Sequence, residues 1–132
     1  MASEFKTVDV WIGSFPSRSR FDEFFAEAIG DNDDAPISEF AKAMQQTFYD
    51  HDFLEHQFHT PGGSVDLLLA GHSFSKSYVN QVLKAAAGLG VRTGNTTVVV
   101  WNREITAPAS VVTEGYVLRY IGCFDCDPSV AV

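Results

Sequence analysis

The chain has 132 residues, 17 of them Asp or Glu and 9 Lys or Arg, which gives a formal net charge of -8 at pH 7. This acidic balance disfavours direct binding to nucleic acid, because phosphate backbones attract clustered Lys and Arg side chains. A hydrophobic fraction of 45% excludes a disordered chain, and we expect a single domain over residues 1–132 with a flexible tail over residues 127–132.

The first elements in chain order are a strand and two helices. Apolar and other residues alternate from Thr7 to Gly13, which predicts a strand with one apolar face. Ser17 or Ser19 is placed to cap a helix that Gly30 ends, and a second helix of about three turns follows. The residues that share one face are Phe21, Phe24, Phe25 and Ala28 in the first helix and Ile37, Phe40, Ala41, Met44 and Phe48 in the second.

The middle of the chain is harder to interpret. Residues 48–58 fit a short strand and a helical turn equally well, and the sequence leaves both open. Thr60-Pro61-Gly62-Gly63 is typical of a loop, and residues 65–70 form a short apolar segment of either type. A third helix is predicted after Ser75 or Ser77, with Gly88 and Gly90 as its stop signals.

Two strands are predicted near the C-terminus. Gly94-Asn95 is typical of a turn, and Thr96 to Trp101 has no polar side, which predicts a strand covered on both faces. Tyr116 to Cys123 forms another strand, after a loop around Pro108. This element order favours an α+β or α/β fold, in which a small mixed sheet of three to five strands is packed on one face by about three helices.

The sequence shows no segment suited to a membrane or to export. No apolar run approaches the roughly 18 residues that a membrane-spanning helix requires. Residues 1–10 carry Glu4, Lys6 and Asp9, so they lack the uninterrupted apolar region of a secretory signal. The sequence therefore predicts a cytoplasmic protein that does not bind membranes.

The negative charge is concentrated in residues 21–70. This segment holds eleven acids and one base, Lys42, whereas the other 82 residues hold six acids and eight bases. The eleven acids are Asp22, Glu23, Glu27, Asp31, Asp33, Asp34, Glu39, Asp50, Asp52, Glu55 and Asp66. Such a segment produces a local field that steers cationic partners, although an acidic surface kept for solubility is the alternative.

Catalytic and metal-binding patterns are weak. In a helix, His51, Glu55 and His59 would share one face and could ligate a divalent cation, so a small metal-dependent enzyme or metal-binding protein is the alternative hypothesis. Cys123 and Cys126 are spaced as C-x-x-C but are better interpreted as two reduced thiols. Without a nucleophile motif or a phosphate-binding loop, we predict no enzymatic activity and no cofactor.

Four short segments stand out in the first half of the chain: VDVWIGSF at residues 8–15, FDEFF at 21–25, ISEF at 37–40 and YDHDFLE at 49–55. In this order they resemble the immunity protein twenty-two family of bacterial polymorphic-toxin systems. The resemblance implies a small cytoplasmic protein that binds a cognate toxin domain and blocks it. A generic interaction domain without a toxin partner is a further alternative.

The resemblance and the acidic segment together indicate an acidic toxin-binding surface. Complementary charge raises the association rate with a basic partner such as a nuclease. The candidate contact residues are Asp31, Asp33, Asp34, Tyr49, Asp50, Asp52 and Glu55. Phe53 is a second aromatic candidate, although a core position is favoured for it. The chain is expected to act as a monomer or homodimer.

Overall fold

A computed structural model of the chain describes residues 5–28, 35–127 and 129. Its sheet contains the strands β1 (Thr7–Ser14), β2 (Leu54–Ser64), β3 (Thr93–Trp101), β4 (Val111–Val112) and β5 (Val117–Asp125). The strand order is β2-β3-β1-β5-β4, and all four neighbouring pairs are antiparallel. The described strands thus form an antiparallel sheet, and the expectation of a mixed sheet is wrong.

Helices cover both faces of this sheet. They are α1 (Arg18–Phe25), α2 (Glu39–Ala43), α3 (Val65–Leu69) and α4 (Val79–Gly88), with short 3₁₀ turns at His51–Phe53 and Ser75–Ser77. Buried residues of α1 and α2 pack with one side of the sheet, and those of α3 and α4 pack with the other. The fold is α+β with four helices, and the prediction that helices pack on one face only is wrong.

The adjacent strands β1 and β3, two of the three interior strands, carry buried side chains on both faces. In β1, Val10 and Ile12 face α3 and α4, whereas Trp11 faces α1 and α2. In β3, every residue from Thr96 to Trp101 is buried. A strand that is covered on both sides has no need of a polar face, which explains the continuous apolar run at residues 98–101. The predicted burial of this strand is confirmed.

The first helix begins as predicted, and the second is shorter than predicted. The Ser17 hydroxyl accepts a hydrogen bond of 3.1 Å from the backbone N–H of Arg20, so Ser17 is the cap. In place of three turns, α2 has five residues, and the chain leaves the helix at Gln45, whose φ of 57° is left-handed. As a result Phe48 does not continue a buried stripe; it is 61% exposed. The predicted stop at Gly30 lies outside the described residues.

Residues 54–64 form a strand that crosses the predicted loop. Within β2 the pairing with β3 shifts between Phe58 and Gly63, so Thr60-Pro61-Gly62-Gly63 forms an irregularity inside the strand. The predicted turn at Gly94-Asn95 likewise lies within β3. Among the described strands, β2 pairs only with β3, which leaves its other backbone edge without a strand partner.

The third predicted helix is present as α4, but its cap is not the predicted one. Ser75 and Ser77 lie in the preceding 3₁₀ turn, and Tyr78 occupies the N-cap position. The helix ends at Gly88, and Gly90 has a φ of 78°, as a stop signal requires. No helix in the described ranges is both long enough and apolar enough to cross a membrane.

Candidate functional site

Several acids of residues 21–70 are engaged within the chain. Asp22 lies 3.1 Å from the guanidinium of Arg18, and Glu39 lies 2.7 Å from that of Arg20. The Asp66 carboxylate accepts a hydrogen bond of 2.6 Å from the Ser64 hydroxyl. Arg18 and Arg20 lie just before residues 21–70, so a count of charged residues within that segment omits the positive charges that neutralise Asp22 and Glu39. An incoming molecule therefore meets a smaller negative field than the sequence indicates.

Glu55 is an internal hydrogen-bond acceptor. Its Oε1 lies 3.1 Å from His72 Nδ1 and accepts a 3.0 Å bond from the Ser73 backbone N–H, and its Oε2 accepts a 2.6 Å bond from the Ser73 hydroxyl. Burial alone would raise the pKa of Glu55, but the hydrogen bonds from His72 and Ser73 outweigh it and lower this pKa below its usual value. Both carboxylate oxygens of Glu55 already have hydrogen-bond partners within the chain, so Glu55 is not included in the toxin-binding surface proposed below.

The same histidine extends the network into the core. His72 is fully buried, and its Nε2 lies 2.6 Å from the Thr97 hydroxyl on β3. Thr97, His72 and Glu55 are thus hydrogen-bonded in the order hydroxyl, imidazole and carboxylate, as in the catalytic triad of serine hydrolases, and we call this arrangement the relay. Thr97 is itself fully buried, so its hydroxyl cannot reach a substrate. The relay thus connects residues 72 and 73 to β2 and β3, and its role is structural.

The structure contradicts the predicted contact role of Tyr49 and agrees with the core position favoured for Phe53. Tyr49 is only 1% exposed, and its hydroxyl lies 3.2 Å from the Ser38 hydroxyl. Burial raises the pKa of Tyr49 to about 12. Its prediction as a contact residue is wrong, because a side chain without exposed surface cannot touch a partner. Phe53 packs against Phe5 at a ring distance of 5.6 Å, in agreement with its predicted core position, while Phe48 points outward.

The helical geometry required for a metal site at residues 51–59 is absent. His51 lies in a 3₁₀ turn, Glu55 is bound to His72, and His59 lies on β2. Within the described part of the chain, no three His, Cys, Asp or Glu side chains are placed to hold a metal ion. The metal-binding alternative required a helix over residues 51–59, and that requirement is not met. Both cysteines are free thiols, Cys123 exposed and Cys126 buried.

A fully buried carboxylate, for which the sequence pattern gives no signal, lies on β1. Asp9 is fully buried, and its Oδ1 accepts hydrogen bonds from the Tyr120 hydroxyl at 2.5 Å and from Arg103 Nη1 at 3.0 Å. Burial raises the pKa of Asp9, although Tyr120 and Arg103 oppose that rise. Arg103 is consequently committed to an internal ion pair.

Three acids remain grouped at one corner of the molecule. His51 lies 3.5 Å from Glu27 and 3.3 Å from Asp52, and the Asp50 carboxylate accepts a 3.0 Å hydrogen bond from the backbone N–H of Asp52. We call Glu27, Asp50 and Asp52 the acidic corner. The Asp52 side chain is 80% exposed, and no described Lys or Arg forms an ion pair with any of the three. The predicted contact residues Asp31, Asp33 and Asp34 lie outside the described residues.

A groove of about 380 Å³ adjoins the acidic corner. It is lined by Phe25, Glu27, His51, Leu54 and His56, and we call it the edge groove because Leu54 and His56 belong to the edge strand β2. The His56 ring stacks on Phe25 at 4.5 Å. Removal of water from this ring lowers the pKa of His56, so its imidazole is uncharged at neutral pH. The groove therefore combines an aromatic wall with the carboxylate of Glu27.

Comparison with known proteins places this architecture in a class. A family model described as Immunity protein 22 matches residues 8–127, which include the five described strands, except for Thr7 at the start of β1, and the four described helices. The class is that of immunity proteins, which neutralise toxins. The chain belongs to the Immunity protein 22 family, and the resemblance seen in the sequence is confirmed. No curated protein and no solved structure gives a significant match.

Proposed function

We propose that this protein acts in the cytoplasm, where it binds a basic toxin domain, such as a nuclease, through the acidic corner and the edge groove, and that it blocks the toxin without catalysis. Family membership supports toxin binding in general. The observation that carries the choice of surface is the acidic corner, whose three carboxylates have no Lys or Arg partner among the described side chains. A toxin surface that binds nucleic acid carries the complementary positive charge.

The neighbouring features supply contacts beyond charge. The exposed ring of His56, which is stacked on the buried Phe25, offers a face on which an arginine guanidinium can stack while it pairs with Glu27. The unpaired backbone edge of β2 can accept an added strand, a common mode of peptide recognition. Phe48, exposed and two residues before Asp50, provides apolar area of the kind that concentrates binding energy. Asp31, Asp33 and Asp34 remain proposed contacts.

Reversal of one exposed charge tests this surface. We expect Asp52→Lys to slow association with the cognate toxin domain by about tenfold at low salt, because steering depends on local charge. The salt dependence of the association rate should weaken as well. Stopped-flow or surface plasmon resonance measurements over a range of salt concentrations give both quantities. Glu114→Lys changes the formal charge equally on the exposed turn before β5 and should have a much smaller effect.

The outcome is interpretable because the substituted side chains contribute little to folding. Asp52 is largely exposed, and its replacement should change the free energy of unfolding by about 0.5 kcal/mol or less. Two further variants, Glu27→Gln and the triple replacement of Asp31, Asp33 and Asp34 by Asn, extend the test to the groove and to the acidic connector. Unchanged affinity and unchanged salt dependence in all three folded variants would overturn the proposed surface.

A further inference from the structure

Two of the five arginines have no acidic partner among the residues that the structure describes. Arg18, Arg20 and Arg103 form ion pairs with Asp22, Glu39 and Asp9, at 2.7 to 3.1 Å. No acid of the described chain pairs with Arg92 or Arg119, and both line one pocket of about 310 Å³. This volume is at the lower end of the range for small-molecule sites. Two arginines without an acidic partner among the described residues therefore line the same concave surface of a strongly acidic protein.

The pocket lies at the end of the sheet where β1 finishes and β3 and β5 begin. Arg119 on β5 is paired with Ile12 of β1, so its side chain projects on the face that α4 covers. Arg92 lies in the short connection between α4 and β3. Two segments that are distant in sequence thus each contribute an arginine to the lining of the same pocket. The sheet register fixes the backbone position of Arg119, and the connection that leads directly into β3 places Arg92.

The rest of the lining suits an anion. Ser14 and Thr93 line the pocket, and neither hydroxyl takes part in a hydrogen bond with another described residue. No Asp or Glu belongs to the lining. Asp66 lines a separate, smaller depression together with Arg92, and its carboxylate accepts a hydrogen bond from the Ser64 hydroxyl. The pocket offers cationic and hydroxyl donors without a competing carboxylate.

We propose that this pocket is a binding site for a small phosphate-bearing anion, held by Arg92 and Arg119 with the hydroxyls of Ser14 and Thr93. Arginine presents a planar fork of N–H donors that matches the oxygens of a phosphate in two parallel bonds. An anion with more than one phosphate group can engage both guanidiniums at once and relieve their mutual repulsion. The site is distinct from the acidic corner and shares no residue with it.

Inorganic pyrophosphate is the probe for this proposal. Isothermal titration calorimetry should show saturable binding with one site per chain, and pyrophosphate should raise the melting temperature. Arg92→Gln and Arg119→Gln are each expected to weaken binding about tenfold or more, because each removes charged hydrogen bonds, and the double variant should not bind. Arg18→Gln, on the exposed side of α1, is the matched control and should bind as the unmodified chain does.

A second anion separates phosphate recognition from general attraction to negative charge. Citrate carries several carboxylates, and we expect it to bind more weakly than pyrophosphate. Tighter binding of citrate would overturn the assignment to phosphate, and the absence of saturable pyrophosphate binding would overturn the site. Binding that survives the double arginine substitution would do the same. The toxin-binding proposal is tested with other residues, so failure of one proposal is distinguishable from failure of the other.

Discussion

Replacement of His72 by alanine is expected to lower the free energy of unfolding by about 3–5 kcal/mol, because hydrogen bonds to charged groups and unsatisfied buried groups have large energies. His72 is fully buried between Glu55 on β2 and Thr97 on β3. Its loss leaves the Thr97 hydroxyl without this partner in the core, and it removes one of the donors to Glu55. Urea denaturation followed by circular dichroism measures the change.

A control variant and a threshold make this prediction specific. His51→Ala removes the same side chain from an exposed 3₁₀ turn and should change the free energy of unfolding by about 0.5 kcal/mol or less. A loss below about 1 kcal/mol in His72→Ala would show that the network adds no more than an ordinary neutral hydrogen bond.

The network also gives stability a dependence on pH. The pKa of Glu55 is lowered in the folded state, so the unfolded chain binds its proton at a higher pH than the folded chain does. The stabilisation is present in full above the ordinary value of 4.5 and is lost as the pH falls from there through the lowered pKa. Glu55→Gln should reduce this loss on acidification while it keeps the side-chain volume. An unchanged acid dependence would contradict the assignment.

Replacement of Gly13 by alanine is expected to destabilise the fold by about 3 kcal/mol, at the upper end of the range for overpacking. A Cβ atom at this position would overlap the backbone carbonyl oxygen of Val117 and lie 2.9 Å from the Cα of Leu118. Both neighbours are backbone atoms of β5, which is paired with β1, so the clash cannot be relieved by a rotamer change. Strands β1 and β5 must move apart, and hydrogen bonds between them weaken.

Gly88→Ala is the matched control. Gly88 is the last residue of α4, and a Cβ atom there would meet no other atom within 4 Å. Alanine loses less backbone entropy than glycine on entering a helix, so this variant should gain about 0.5 kcal/mol or more. Thermal and urea denaturation of the two variants compare one chemical change in two environments. Equal effects at both positions would refute the argument from strand packing.

Local sequence pattern predicts the central elements well and the outer ones poorly. The interior strands β1 and β3 carry strong apolar signals because both of their faces are buried. The edge strand β2 has a weak signal, since Glu55 and Gln57 are polar and find their partners in residues 71–73. The sequence does not predict helices on both faces of the sheet. The apolar stripes of α1 and α4 indicate that each helix packs on the sheet, but they do not indicate which face of the sheet each helix covers.

The candidate site illustrates the same limit. The acidic segment is visible in the composition, but the pairing of Asp22 and Glu39 with arginines and the burial of Tyr49 depend on contacts made by the fold. Tyr49 and Phe48 are neighbours of similar size, and which of them turns inward depends on the path of the chain after α2, where Gln45 adopts a left-handed φ. The convergence of Arg92 and Arg119, 27 positions apart in the sequence, likewise has no local signal.

The chain carries one tryptophan in each of its two cores. Trp11 packs with Phe40 and Tyr120 between the sheet and the first two helices, and Trp101 is stacked on Phe5 at 5.0 Å on the opposite face. Intrinsic fluorescence of Trp11→Phe and Trp101→Phe variants therefore reports separately on the two layers. Coincident unfolding transitions would show that the two layers, which share the sheet, unfold cooperatively. Separated transitions would show which layer unfolds first.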